Sequence, residues 1–128
     1  MHLRLIVCLV LVMSIWSACQ PETYRQGKAL YKYHCAGCHM DDGSGLARLI
    51  PSLDSAMLRY TIASDLICLI RKGLPVDSLT GQKMPPNTML NGVELANLIN
   101  FLGLEYHAHA QWVKVTEAEK MYAACQSD

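Results

Sequence analysis

Cys35-Ala36-Gly37-Cys38-His39 is the stretch on which the reading of this chain turns. Two cysteines three apart, with a histidine directly after the second, is the spacing for covalent haem attachment. Each thiol can bond one vinyl group of a porphyrin, and the adjoining imidazole can reach the iron from one face. Two other readings of paired cysteines fit poorly. Zinc would want a second ligand pair, and a thioredoxin-like dithiol would want a strand–helix–strand pattern; the sequence offers neither.

The surrounding composition is compatible with a small domain built around such a group. The chain has 128 residues, 11 basic and 11 acidic side chains, and no formal net charge. A neutral chain of this length reads as one domain without a basic surface for nucleic acid. Its hydrophobic share of 52% exceeds that of an ordinary soluble domain. Much of the excess lies in the first eighteen residues. Phe and Trp together number three, so a buried porphyrin would supply apolar volume that the core otherwise lacks.

The N-terminus reads as a targeting segment over residues 1–18. Leu5 to Trp16 is an apolar run preceded by Arg4. The run is too short for a bilayer, which takes about 20 residues, but fits the core of a signal peptide. Trp16-Ser17-Ala18-Cys19 resembles the lipobox of bacterial lipoproteins, in which the cysteine is lipidated, although Trp16 stands where an aliphatic residue is usual. Cys19 is thus the expected lipid-anchor site. Secretion after Ala18 and an uncleaved anchor are the alternatives. All three place the domain outside the cytoplasm.

Six cysteines can then be apportioned. Cys8 falls in the signal, Cys19 at the lipid site, and Cys35 and Cys38 on the haem. Cys68 and Cys125 remain, and an even remainder in an oxidising compartment predicts a disulfide between them. Two free buried thiols are the alternative.

Working outward from the cysteines, Tyr24, Gly27, Leu30, Tyr31 and His34 recur at helical spacing, so residues 22–34 should form a helix. Gly27 within it costs about 1 kcal/mol against Ala, which close approach of a second helix would justify. Met40-Asp41-Asp42-Gly43-Ser44-Gly45 reads as a sharp, solvated loop. Pro51 is expected to offer its carbonyl to the His39 ring nitrogen that is not on iron. Asp54 or Ser55 would cap a short helix to Tyr60. A further helix is expected over residues 61–72, with Ile62, Leu66, Leu69 and Ile70 on its apolar stripe and Gly73 just beyond it.

Lys83-Met84-Pro85-Pro86 is stiffened by two prolines, which leaves Met84 little freedom to bend away. A thioether is a soft iron ligand, and pairing it with histidine raises the reduction potential. Met84 is therefore the expected second axial ligand, ahead of Met57, Met89, His107 and His109. Asn91-Gly92-Val93-Glu94 has capping-box spacing. The helix beyond it carries Leu95, Leu98, Ile99 and Leu102, with Phe101 beside them, and should cross the first helix near Gly27. In the tail, Thr116-Glu117-Ala118-Glu119 has the same spacing, ahead of a short helix to about Ala124.

Taken in order, Gly27-Lys28-Ala29-Leu30-Tyr31, Cys35-x-x-Cys38-His39, Asp42-Gly43-x-Gly45, Pro51, Met84-Pro85 and Phe101-Leu102 resemble class I cytochrome c. The resemblance spans about Thr23 to Leu104. It implies an all-α fold in which N- and C-terminal helices cross around a covalently bound haem. It also implies Cys35 and Cys38 as thioethers, His39 and Met84 as axial ligands of one haem c, and Pro51 as the carbonyl partner. Met40 departs from the family, which often has Gly after the histidine, an expected change of local packing. The expected organisation is a signal over 1–18, a cytochrome c domain over 22–104, and an extension over 105–128 clipped to that domain.

With both axial positions filled, the iron has no open site for peroxide or oxygen. The expected function is electron transfer rather than enzymatic catalysis. Redox proteins would dock transiently; Lys28, Lys32, Arg71, Lys72 and Lys83 either ring the haem edge and give salt-sensitive docking with acidic partners or are ordinary solvated surface. The lipid anchor would tie the domain to a membrane facing the periplasm, and no small-molecule substrate is expected. An accessory haem subunit or a redox sensor of a larger respiratory complex is the alternative. A peroxidase would need a labile sixth site and a distal acid-base group.

Overall fold

The computed structural model describes residues 22–47, 49–54, 62–76, 83–106 and 112–125. Residues 1–18, Cys19, Met57, the helix expected to reach Tyr60, His107 and His109 lie outside the described residues.

Among the described residues the elements are helical. They are α1 (Glu22–His34), the single turn α2 (Ala36–His39), α3 (Ala63–Lys72), α4 (Gly92–Tyr106) and α5 (Val115–Ala124). This is the all-α architecture expected from the sequence.

The first and fourth helices make the central crossing. Gly27 lies at the crossing, where a Cβ would run into the Asn97 carbonyl oxygen and Phe101 Cβ. The expected reason for a mid-helix glycine is therefore the observed one: the α4 backbone passes where a side chain would stand. Polar bonds flank the contact. Asn97 Nδ2 donates to Gln26 Oε1 at 2.6 Å and the Tyr24 hydroxyl to Glu105 at 2.8 Å. That second bond, with burial, holds the Tyr24 phenol above its usual pKa. An aromatic cluster fills the crossing from one side. Phe101 stands 5.2 Å from Tyr24 and 5.6 Å from Tyr31, centroid to centroid, and Tyr106 completes the group.

The helix α4 opens with the expected reciprocal cap. Asn91 Oδ1 accepts from the Glu94 amide at 3.0 Å, and the Glu94 carboxylate accepts from the Asn91 amide at 2.9 Å. Leu95, Leu98, Ile99, Phe101 and Leu102 are buried along it, as their spacing predicts. The stripe on α3 is rotated from expectation. Leu66, Ile67 and Ile70 are buried, whereas Ile62 precedes the helix and is 58% exposed. A residue at the cap position has extended backbone, so helical periodicity does not carry its side chain to the core.

The C-terminal helix also begins earlier than its sequence spacing suggests. Its cap is Lys114, and Glu117 reaches back to the Lys114 amide at 3.0 Å. The pair Thr116 and Glu119 is not the capping pair. Glu119 instead lies against Gly92, where a Cβ would meet its side chain. Just ahead of α5, Val113 pairs by both its amide and its carbonyl with the buried Asn100 side chain, each bond 2.8 Å. The carboxamide acts there as one rung of a backbone ladder and satisfies two buried main-chain groups. Cys68 and Cys125 are joined, their Cα atoms 5.4 Å apart. That spacing suits a disulfide. The helix thus packs on both α3 and α4.

Candidate functional site

The paired cysteines sit where α1 hands over to α2. Cys35 amide donates to the Tyr31 carbonyl at 2.8 Å, and the His39 amide returns to the Cys35 carbonyl at 2.9 Å. This single turn puts Cys35, Cys38 and His39 on one short, rigid segment. Neither thiol is bonded to another sulfur; Cys35 is half-buried and Cys38 exposed. Burial first, and the neighbouring Cys38 second, push the Cys35 thiol up to about 11. It is a neutral thiol at physiological pH.

The chain then has to turn back under His39. It does so with four residues at positive φ: Met40 at 65°, Gly43 at 72°, Gly45 at 71° and Ala47 at 46°. The Gly45 amide donates to the His39 carbonyl at 3.0 Å and the Leu53 amide to the Gly43 carbonyl at 2.8 Å. At Gly45 a Cβ would collide with the Ile50 and Pro51 carbonyl groups. This glycine is what allows Pro51 to lie over the loop. At Gly43 a Cβ would strike the Tyr106 ring. The Asp42 carboxylate accepts from the Ser44 amide at 3.0 Å, which turns the loop; the Ser44 hydroxyl first, and this amide second, hold its pKa below the usual value.

Met40 is a finding that the sequence reading understated. Its φ and ψ of 65° and 163° fall where glycine is the natural occupant. The departure from the family pattern therefore strains the backbone and does more than alter packing. Its carbonyl accepts from the Tyr31 hydroxyl at 2.6 Å. Tyr31 is 1% exposed, and burial together with the Tyr106 hydroxyl raises its phenol well above the ordinary range. Helical spacing marked Tyr31 as core; its second role, pinning the residue after His39, had no sequence signal.

Burial holds the His39 imidazole below its usual pKa, and the Pro51 carbonyl acts in the opposite sense. That carbonyl is near enough to favour the protonated ring, but the pair does not close a hydrogen bond, and Nδ1 stays buried without a partner. Pro51 is thus beside His39, in the neighbourhood expected of it.

Met84 comes from the other end of the domain. It is half-buried against the core. Its carbonyl accepts from the Leu74 amide at 2.9 Å in an isolated antiparallel bridge. Gly73, at a φ of 70°, makes this possible, because a Cβ there would meet the Met84 carbonyl and the backbone of Pro85 and Pro86. The same glycine closes α3 with a bond to the Leu69 carbonyl at 2.7 Å. Asn87, which the sequence reading passed over, fastens the loop further on. Its amide donates to the Ile70 carbonyl at 2.9 Å and its Nδ2 to His34 Nδ1 at 3.2 Å. Met89 is 83% exposed.

The basic residues do not act as one group. Arg71 is not turned toward a docking face. It lies under α5, its guanidinium 3.7 Å from the Tyr122 ring centroid and donating to the Tyr122 carbonyl at 3.0 Å. Lys32 approaches Asp41 at 3.8 Å, both side chains well exposed. Lys28 and Lys83 are exposed. No helix among the described residues is long and apolar enough to cross a membrane.

The residues present suit a covalently held porphyrin. Two unbonded thiols and an imidazole share one turn, the imidazole has a buried Nδ1 facing a backbone carbonyl, and a thioether stands at the core's edge. A search of curated proteins finds no match to the chain. A family model described as cytochrome c oxidase, cbb3-type, subunit III matches residues 22–102.

Proposed function

We propose, from the premise that this chain belongs to the cytochrome c oxidase cbb3-type subunit III family, that it is an exported, lipid-anchored carrier with a single haem. Membership brings a covalently bound haem c, electron transfer as its chemistry and redox proteins as its partners. When bound, the haem supplies an iron that gains and loses one electron.

In this reading Cys35 and Cys38 hold the porphyrin as thioethers, and His39 and Met84 are the axial ligands. The observation that carries it is the α2 turn, which presents both unbonded thiols and the imidazole together. The His39 Nδ1 is buried and has no partner, which would leave Nε2 as the nitrogen for iron. A donor bond from Nδ1 to the Pro51 carbonyl would fix the ring's orientation and raise its basicity. Met84 is held through its carbonyl by the Leu74 amide, and its segment is tied three residues on by the bond from the Asn87 amide to the Ile70 carbonyl. Two ligands on fixed segments would change little between oxidation states, which suits fast transfer. With His39 and Met84 both on the iron, no position would be left open for peroxide, so peroxidase chemistry is disfavoured.

Anchoring at Cys19 and delivery to the periplasm belong to this proposal. So does weak docking of an electron donor and an acceptor, with Lys28 and Lys83 rather than Arg71 available to an acidic partner. An accessory haem subunit of a larger complex is the second reading, favoured by the family's own description as an oxidase subunit.

Expression in a host with haem-maturation machinery tests the core of it. Protein carrying one haem by intact mass, with a weak long-wavelength band in the oxidised form that Met84→Ala removes, is the expected result. Folded but colourless protein would sink the assignment. Non-reducing mass would also report an acyl group on Cys19, and copurification with a membrane complex would favour the subunit over the free carrier.

A further inference from the structure

The residues that carry Met84 are gripped from outside by a part of the chain that the family match does not cover. The match ends at residue 102; α5 spans Val115–Ala124. The last turn of α3 is the platform for the Met84 loop. Ile70 accepts from the Asn87 amide, and Leu74 donates to the Met84 carbonyl, each at 2.9 Å. Between them Gly73 admits Met84, Pro85 and Pro86 at close range. The same turn contains Arg71, and Arg71 is the residue that α5 holds.

The hold has several parts. The Arg71 guanidinium lies 3.7 Å from the Tyr122 ring centroid, and its Nη1 donates to the Tyr122 carbonyl at 3.0 Å. The Tyr122 hydroxyl donates across to the Thr88 carbonyl at 3.4 Å, beyond the prolines. One tyrosine therefore touches the platform and the far end of the loop together. Cys68 on α3 is joined to Cys125 at the end of α5. Val113 is locked to Asn100 of α4 ahead of the helix. The base of α5 is thus fixed to α4, and its tip to α3.

We infer that α5 is a clamp on the Met84 loop, with Tyr122 and Arg71 as positioning residues for that ligand. The inference rests on the reading of Met84 as an axial ligand. A loop with two prolines bends little between Met84 and Asn87. Displacing Met84 then requires movement at Thr88 or at the α3 platform, and Tyr122 resists both. The contacts at Gly27 and between Asn97 and Gln26 join α1 to α4 directly, so loosening the clamp should free the loop before it frees that crossing.

The test uses the full-length haem-bearing protein and its Tyr122→Ala, Tyr122→Phe and Met84→Ala variants. Two properties are read: amide exchange at Leu74, whose acceptor is the Met84 carbonyl, and the long-wavelength band of the oxidised protein during a denaturant titration. Exchange at Leu98 and Ile99 in α4 serves as the core reference. With Tyr122→Ala, Leu74 exchange should rise roughly tenfold, about what loss of a cation–π contact allows, while Leu98 and Ile99 change much less. The band should disappear at lower denaturant, well ahead of helix unfolding. Tyr122→Phe keeps the ring over Arg71 but loses the bond to the Thr88 carbonyl, so both properties should fall between those of the parent and of Tyr122→Ala. Reduction of the disulfide in unsubstituted protein should raise Leu74 exchange in the same direction, which covers the case of a variant that fails to fold.

Leu74, Leu98 and Ile99 changing in step would overturn the clamp and leave α5 a general stabiliser. If Met84→Ala kept the band, the ligand assignment would fail separately, and the clamp would still be judged on Leu74 exchange.

Discussion

The loop below His39 and the loop that carries Met84 solve the same problem by different means. The first, from Met40 to Leu53, is shaped by its own backbone. Four positive φ angles, at Met40, Gly43, Gly45 and Ala47, and bonds from Gly45 to His39 and from Leu53 to Gly43 close it within fourteen residues. The second, from Lys83 to Leu90, makes almost none of its bonds to itself. It is tied to Leu74 and Ile70 of the α3 segment, to His34 of α1 and to Tyr122 of α5. One side of the site is therefore built by local conformation, and the other by distant partners. Local conformation is cheap to form and hard to adjust. A loop held by three separate elements responds to each of them.

That contrast can be attacked at several points. The largest effect is expected from reducing the Cys68–Cys125 bond, which closes a sequence separation of 57 residues. Chain entropy allows a loss of about 4 kcal/mol at most. Denaturant titration with and without reductant measures it, and the Met84 side should loosen while the turn at His39 persists. Loss of both sides together would erase the distinction.

Paired glycine substitutions come next. Gly45→Ala and Gly73→Ala each combine a positive φ with a backbone collision, and each should cost about 3 kcal/mol. They should differ in kind. Gly45→Ala should disturb the His39 side, while Gly73→Ala should cost the long-wavelength band first. Gly37→Ala, where a Cβ would meet nothing within 4 Å, should stay within about 0.5 kcal/mol of the parent.

Met40→Gly should act in the opposite sense. Removing a non-glycine residue from φ 65° and ψ 163° should stabilise the protein by about 1 kcal/mol, after the entropic cost of glycine is subtracted. Thermal unfolding would read the gain. A loss instead would show that contacts of the half-buried side chain outweigh the strain.

The smallest effect concerns Asp42. Its folded-state pKa lies below the usual value because the Ser44 hydroxyl and amide bond the carboxylate. The unfolded chain then binds the proton more readily. The contribution is present above the unfolded pKa, and it fades as pH falls from the ordinary carboxylate value of 3.8 through the lowered one. Asp42→Asn keeps the acceptor oxygen and removes the charge, so parent and variant should differ in stability near neutrality and converge in acid. A difference that persisted unchanged through acid would assign the effect to turn geometry alone.

Much of this molecule was legible before any coordinates. Apolar spacing located α1, α3 and α4, because a helix that packs one face must repeat its buried residues about every 3.6 positions. Gly27 announced a close crossing because a mid-helix glycine has a cost that something must offset. The Asn91–Glu94 cap was readable because both partners sit within one turn. The errors share a cause. Ile62 was placed on a helical stripe that begins one residue later, and the cap of α5 was set two residues too far along. Helix ends depend on which competing local bonds the tertiary environment allows.

The sequence alone determined where the turn from Cys35 to His39 falls and where α1, α3 and α4 run, because each depends on residues within a few positions of one another. Only the tertiary structure decided that Tyr31 holds the Met40 carbonyl, that Gly73 makes room for Met84, that Asn100 receives Val113 and that Arg71 serves the tail rather than a docking face. In each of these the partners meet because helices pack, and a linear pattern carries no record of which side chains that packing will bring together.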